Sequence, residues 1–235
     1  MSNSLTALLS ATFHEPGYDH SVELVHQQTR AGDRRIDELR VAAYDEAGQA
    51  LCDLAVDPAA GVLDLSALLR AHLPDRRAMV LFDVRYDEAI FPYRPHHYAF
   101  LHRRGSAAPP LYYAVNSVLG GFPRGLDATR MNNFETYVFL GRPLRERHGL
   151  VLGNASRFAD AEAQVIAYYG AERITESVRI APKAHREVPL APERDGRRLA
   201  RVELKSLFRL ANYVVGRHAD TGDLVLFDHL FTYFK

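Results

Sequence analysis

Short segments in which apolar and polar residues alternate recur along this chain of 235 residues. Residues 82–86 alternate apolar with charged positions, which is the pattern of a strand with one buried and one hydrated face. Residues 37–44 and 51–56 flank a turn that ends at Gly48, and this arrangement predicts a β-hairpin. Turn residues recur about every 8–12 positions in many places, a spacing typical of β-sandwiches.

The second half of the chain shows the same short alternating segments. The sequence also predicts one short helix. That helix covers residues 66–72, with Asp64 or Ser66 as its N-cap and Pro74 beyond its end. Further strands are expected at residues 98–102, 111–115, 135–140, 151–153, 163–169, 174–180, 201–204, 212–217 and 224–233. We therefore expect an all-β protein.

The sequence also contains an internal repeat. Residues 39–58 resemble residues 163–182 at a constant offset of 124 without a gap, and weaker matches follow later in both halves. Such a repeat predicts that related structural units are joined in tandem. We expect two related antiparallel β-sandwich units, at residues 12–116 and 134–235, with residues 117–133 as a linker or a functional loop.

Composition narrows the possible classes of function. Lys plus Arg and Asp plus Glu both number 29, so the formal net charge is zero, which argues against nucleic-acid binding through an overall positive field. No apolar run approaches the roughly 20 residues that span a bilayer, and the N-terminus lacks a basic leading segment. We therefore expect a cytoplasmic protein with no membrane or nucleic-acid partner. Cys52 is the only cysteine, and a half-buried structural position on a strand is expected for it.

The densest group of chemically active side chains lies between residues 93 and 104. In an extended strand alternate residues share a face, which here places cationic donors beside aromatic rings. Guanidinium groups pair with carboxylates or phosphates and rings supply stacking surface, so this face suits a small anionic or carbohydrate-like ligand. The predicted ligand-binding residues are Arg94, His96, Tyr98, His102 and Arg104, joined by Asn132 and Asn133 from the irregular segment. The alternative is an edge strand, whose prolines and charges prevent aggregation between sheets.

We expect a ligand-binding site that needs no cofactor. The alternative is a site that binds a divalent metal ion. His14, His20, His96 and His97 are the candidate ligands, because jelly-roll metal sites gather histidines with a carboxylate. His96 and His102 share a face but stand roughly 20 Å apart along a regular strand, too far to bind one metal. No spacing selects a third ligand, and the sequence lacks a nucleophile elbow and a phosphate-binding loop.

The second half resembles a known family. The matching residues include Gly153-Asn154-Ala155, the segments 160–169 and 178–182, and the pair Val214-Val215. With these residues, positions 135–233 resemble the sensory-rhodopsin transducer family of small cytoplasmic β-sandwich proteins. The resemblance implies a β-sandwich that binds partners and assembles as an oligomer, with no chemistry to transfer.

These observations favour a non-catalytic binding or interaction protein. It would recognise a small anionic or carbohydrate-like ligand or a protein partner, and it would form a homo-oligomer through its sheet edges. Two other hypotheses stand beside this one: a metal-dependent enzyme with a histidine site in a β-sandwich, and a structural assembly subunit.

Overall fold

The structure of the chain is a computed structural model that describes residues 6–25, 38–72, 76–86, 96–118, 127, 129–139 and 145–232. Its contacts divide the chain into two compact units, Met1–Val118 and Leu119–Lys235. The first described strand begins at Thr6, ahead of the expected boundary at residue 12. Antiparallel strands make up most of the described residues, so the predicted all-β class is confirmed.

The first unit contains two antiparallel sheets. Its strands are β1 (Thr6–His14), β2 (Tyr18–Val25), β3 (Glu38–Tyr44), β4 (Ala50–Val56), β5 (Val62–Asp64), β6 (Ala78–Tyr86), β7 (His96–Arg103), β8 (Leu111–Ala114) and β9 (Asn116–Val118). The five-stranded sheet has the order β4-β3-β6-β1-β9, and the four-stranded sheet has the order β5-β2-β7-β8. The predicted hairpin is confirmed, because β3 pairs with β4 around the turn at Gly48, whose φ of 84° suits a glycine.

The helix α1 (Leu65–Leu69) follows β5 directly. It begins where the Asp64 carboxylate accepts a hydrogen bond from the Ala67 amide at 2.9 Å, so Asp64, rather than Ser66, is the N-cap. Leu65 and Leu69 are fully buried and anchor the helix to the interior. The helix is shorter than predicted, because residues 70–72 form a turn, and Pro74 lies outside the described residues.

The second unit repeats this strand order. Its strands are β10 (Asn133–Val138), β11 (Glu146–Gly153), β12 (Ala161–Tyr169), β13 (Glu172–Ile180), β14 (His185–Leu190), β15 (Glu193–Arg194), β16 (Arg197–Arg198), β17 (Arg201–Ser206), β18 (Ala211–His218), β19 (Leu224–Asp228) and β20 (Phe231–Thr232). The two larger sheets have the orders β13-β12-β17-β10-β20 and β14-β11-β18-β19, and β15 pairs with β16. With the β15–β16 hairpin set aside, both units share one order, strand for strand.

One hydrophobic core joins the two larger sheets of the second unit. Leu150 on β11 and Val214 on β18 contribute to it from the four-stranded sheet. Val165 on β12 and Leu204 on β17 contribute from the five-stranded sheet. Because all four side chains are almost completely removed from water, burial of apolar surface stabilises the pairing of these sheets.

The two hairpins that carry the internal repeat differ in length. Ala43 pairs with Cys52, whereas Ala167, at the offset of 124, pairs with Ile174, so the partners stand nine and seven residues apart. The predicted ungapped match is therefore wrong beyond the turn, where the offset falls by two residues because the turn at Gly170 is tighter. A change of two residues keeps every side chain on its original face, since strands have a period of two.

Buried Asn154 organises the loop between β11 and β12. Its Nδ2 donates to the carbonyl oxygens of Ala159 at 2.8 Å and Ile180 at 3.0 Å. Its Oδ1 accepts a hydrogen bond from the Ser156 amide at 3.0 Å. The asparagine side chain thereby satisfies backbone groups that would otherwise be buried without partners.

We predict that Asn154→Ala lowers the free energy of unfolding by about 2–3 kcal/mol, because these backbone groups lose their side-chain partner. Urea denaturation followed by circular dichroism measures the change. Phe158→Ser is the control, since Phe158 lies in the same loop and is 89% exposed, and it should change stability by less than about 0.5 kcal/mol. Equal stability of the two variants would contradict the role of Asn154.

Candidate functional site

Strand β7 carries most of the predicted ligand-binding residues, and it lies inside its sheet. β2 pairs with one side of β7 and β8 with the other, so the edge-strand alternative is wrong. His97, Ala99 and Leu101 are buried, whereas Tyr98 and His102 are partly exposed. The side chains therefore alternate between interior and solvent, as expected from the period of a strand.

The solvent side of the four-stranded sheet, called the outer face below, is a regular grid of side chains. Strand register aligns one row as Val62, Glu23, Tyr98 and Ala114, the next as Asp64, Ser21, Phe100 and Tyr112, and a third as Asp19 and His102. Aromatic rings occupy the β7 and β8 side of the outer face. Carboxylates occupy the β5 and β2 side.

The structure places some of the predicted ligand-binding residues on or beside the outer face, and others lie outside the described residues or in the second unit. Tyr98 and His102 lie on the outer face. Arg104 follows the end of β7, where its Nε lies 3.0 Å from a carboxylate oxygen of Asp19. Arg94 lies outside the described residues, and of His96 only the backbone is described.

Asn132 and Asn133 belong to the second unit, where their amides bind protein groups. The Nδ2 of Asn132 lies within hydrogen-bond distance of three backbone carbonyl oxygens, among them that of Leu207 at 3.1 Å. The Nδ2 of Asn133 donates to the buried carboxylate of Glu135 at 2.9 Å. Asn212 donates to the same carboxylate at 2.7 Å, so these amides form part of a polar network inside the second unit.

The aromatic side of the outer face is exposed to solvent. Tyr112 is 57% exposed, and Val62 in the neighbouring row is 61% exposed. The rings of Tyr98 and Tyr112 stack with centroids 5.3 Å apart, and Phe100 tilts against Tyr112 at 5.0 Å. Partial desolvation, Tyr98 and the Glu23 carboxylate raise the pKa of the Tyr112 phenol above its ordinary value, so the phenol stays protonated at neutral pH.

On the carboxylate side of the outer face, one acid forms neither an ion pair nor a helix cap with a described residue. Asp19 pairs with Arg104, and Asp64 caps helix α1. Glu23 is exposed and forms no ion pair with any residue that the structure describes. The acidic character of this side disfavours the anionic ligand that the sequence predicted, because like charges repel.

A buried polar network crosses the interior of the first unit. The hydroxyl of Tyr113 lies 2.5 Å from Oγ1 of Thr12 and 2.9 Å from Nε2 of His20. The His20 amide donates to Oγ of Ser66 at 2.7 Å. Burial and the nearby His14 lower the pKa of His20 to about 3, so its imidazole is neutral at pH 7. Sequence reasoning missed this network because its members come from four separate elements.

The described parts of the chain contain no group of three His, Cys, Asp or Glu side chains that could hold a metal ion. His14 and His20 are neighbours, but Nε2 of His20 is hydrogen-bonded to Tyr113. His97 is buried, with its ring centroid 5.8 Å from that of Phe82. The metal hypothesis therefore lacks a third ligand among these residues.

Cys52 occupies a half-buried position on β4, as expected. Burial raises the pKa of its thiol above the ordinary value, an effect that outweighs a hydrogen bond from the backbone of Ala43. The thiolate form is therefore scarce at neutral pH, which makes this cysteine a poor nucleophile.

No protein-family model matches the chain, and no curated protein is significantly similar to it. Among the described residues, no helix has both the length and the apolar character needed to cross a membrane. Function is therefore inferred from the geometry of the outer face and of the interior network.

We predict that the protein loses stability in mild acid because of His20. The unfolded chain takes up a proton at the ordinary pKa of 6.5, whereas the folded imidazole stays neutral down to about pH 3. This contribution to stability is therefore fully present above pH 6.5 and falls by about 1.4 kcal/mol for each pH unit below it.

His20→Gln removes this group, so one proton fewer is taken up on unfolding between about pH 6 and 4. The free energy of unfolding of the variant should therefore depend less steeply on pH in this range. Chemical denaturation at a series of pH values measures this slope. Phe158→Ser, which removes no titratable group, should leave the slope unchanged. Identical slopes for the wild-type protein and His20→Gln would refute the assignment.

Proposed function

We propose that the protein is a non-catalytic binding protein whose docking surface is the outer face of the first unit. The observation that carries this proposal is the solvent-facing cluster of Tyr112, which is exposed, and Tyr98 and Phe100, which are partly exposed, beside Glu23. Contiguous exposed aromatic groups are uncommon on monomeric soluble proteins and mark binding surfaces. A protein partner is favoured over an anionic ligand, because carboxylates dominate the charged groups of this face.

A carbohydrate-like ligand is the second candidate. Exposed tyrosine rings present a flat apolar surface to the C–H face of a sugar ring. Ser21, Glu23 and His102 add hydrogen-bonding groups to the same face. A neutral sugar would meet no repulsion from the acidic side of the grid.

The interior polar groups support folding more directly than catalysis. Thr12 and His20 each form a hydrogen bond with the hydroxyl of Tyr113, and all three side chains are buried away from solvent. The metal-dependent alternative gains no support from the described histidines.

We also propose that the two units are copies of one β-sandwich. The shared strand order supports this, as does the core that receives side chains from both larger sheets of the second unit. The blades of a β-propeller are commonly meanders, whereas neighbours such as β3-β6-β1 and β12-β17-β10 are distant in sequence. A cytoplasmic location and the resemblance of the second half to the sensory-rhodopsin transducer family are compatible with such a scaffold and stay predictions.

Thermal unfolding with a panel of defined probes tests the binding face. The panel contains neutral oligosaccharides, basic peptides, apolar peptides and inorganic phosphate. At least one class other than phosphate should raise the melting temperature of the wild-type protein, because binding to the native state stabilises it. Tyr98→Ala and Tyr112→Ala should abolish that shift, and Phe158→Ala in the second unit should retain it. A shift that survives both tyrosine substitutions, or its absence with every probe, would contradict the proposal.

Self-association through β4 is the form of oligomer that we propose. Among the described strands β4 ends the five-stranded sheet of the first unit, and it carries one charged residue, Asp53. The corresponding edge strand β13 carries Glu172, Arg173, Glu176 and Arg179. Charged side chains on an edge strand discourage pairing with another chain, so β4 is the better candidate for pairing.

Sedimentation velocity over a concentration series measures this self-association. The wild-type protein should sediment as a dimer or larger species. Ala55→Lys on β4 should shift it toward the monomer, and the matched substitution Ser177→Lys on β13 should not. A wild-type monomer at all concentrations would rule out assembly through this edge.

A further inference from the structure

We infer that the outer face binds a cationic side chain, and that the partner presents a guanidinium group to Glu23 and the stacked pair Tyr98 and Tyr112. This inference rests on the proposed function, because it specifies the chemistry of the partner at the same face. Three observations together carry it: the register of the sheet, the aromatic rings on the solvent side, and a carboxylate that forms no ion pair with a described residue.

Register places Glu23 directly between an aliphatic and an aromatic neighbour. It stands opposite Val62 on β5 and opposite Tyr98 on β7. Residues directly opposite one another on antiparallel strands have Cβ atoms about 5 Å apart. The carboxylate therefore projects from the sheet beside the Tyr98 ring, and its charge is felt at Tyr112, which stacks on that ring.

Glu23 is the one acid of the three on the outer face that forms neither an ion pair nor a helix cap with a described residue. Asp19 is paired with Arg104, and Asp64 accepts the Ala67 amide at the start of α1. Among the described residues, a cation that approached the grid would therefore find at Glu23 a carboxylate that no ion pair or helix cap engages, next to the rings. The position of Glu23 thus defines where the cationic group would sit.

The chemistry of this corner favours guanidinium over other groups. The negative face of an aromatic ring attracts a cation, and a carboxylate adds a charge-assisted hydrogen bond. Guanidinium is planar and weakly hydrated, so it stacks on tyrosine and loses less hydration than an ammonium group does. An anion would be repelled by all three acids, and a neutral sugar would cover Glu23 without compensating its charge.

A matched pair of peptides tests this inference on the full-length protein. The probe is the capped pentapeptide Gly-Arg-Gly-Arg-Gly, and its control carries citrulline, which keeps the shape and removes the charge. Nuclear magnetic resonance titration measures both affinities. The arginine peptide should bind at least about tenfold more tightly than the citrulline peptide, and its binding should weaken as salt is added.

Two substitutions and one control locate the site. Glu23→Gln removes the charge with little change in shape, and Tyr112→Leu removes the ring. Each should weaken binding of the arginine peptide about three- to tenfold. Glu46→Gln changes the net charge equally at an exposed turn of the same unit and should leave binding unchanged. Circular dichroism and melting temperature establish that each variant is folded.

Three results would overturn the inference: no binding of the arginine peptide, equal binding of the citrulline peptide, or unchanged binding to Glu23→Gln. The outcome for the binding face itself is separate. Suppose that an oligosaccharide stabilises the wild-type protein but not Tyr112→Ala, and that the arginine peptide does not bind. The inference of a cationic partner would then be wrong, whereas the proposed binding face would be supported. Binding that is unchanged in Tyr98→Ala and in Tyr112→Ala would contradict the binding face and the cationic partner alike.

Discussion

Side chains alternate between the two faces of β7. This alternation determines which of its residues join the core of the first unit and which face solvent. His97, Ala99 and Leu101 are buried, and β2 and β8 hold the strand from both sides. A slip of one residue would bring polar and aromatic surface groups into the core and expose all three buried side chains. The same register therefore directs Tyr98 and Phe100 toward solvent, so the core and the candidate binding surface have a single origin.

The corresponding strand of the second unit shows that an exposed aromatic row is not a necessary product of this strand order. On β18, Val214 belongs to the core of the second unit, yet Tyr213 and Val215 on the opposite side are also buried. Tyr213 stacks on Phe227 with ring centroids 4.8 Å apart. β18 is therefore buried on both sides at these positions, whereas β7 divides its residues between the core and the surface.

Local patterns in the sequence were enough to predict the all-β class, the hairpin of β3 and β4 and a capped helix near Asp64. These features depend on residues that are close together along the chain. The outer face could be predicted only in part, because Tyr98 meets Glu23 and His102 meets Asp19 through the pairing of distant strands. The adjacent residues Tyr112 and Tyr113 show the limit clearly: alternation requires that one of them faces outward, but only the partners of β8 decide which one.

The two-residue difference between the repeated hairpins indicates how these sheets tolerate insertions and deletions. Loss of two residues before β4 would shift the pairing of β4 with β3 by two positions. Leu54 would still face inward, on the same side of the sheet as before. Loss of a single residue would turn the whole strand over, unless a local bulge absorbed the odd residue, as the irregular pairing between Ala43 and Tyr44 shows it can. Insertions and deletions in the hairpins of such a chain are therefore expected to come in steps of two residues. A β-bulge is expected where a single residue has been added or lost.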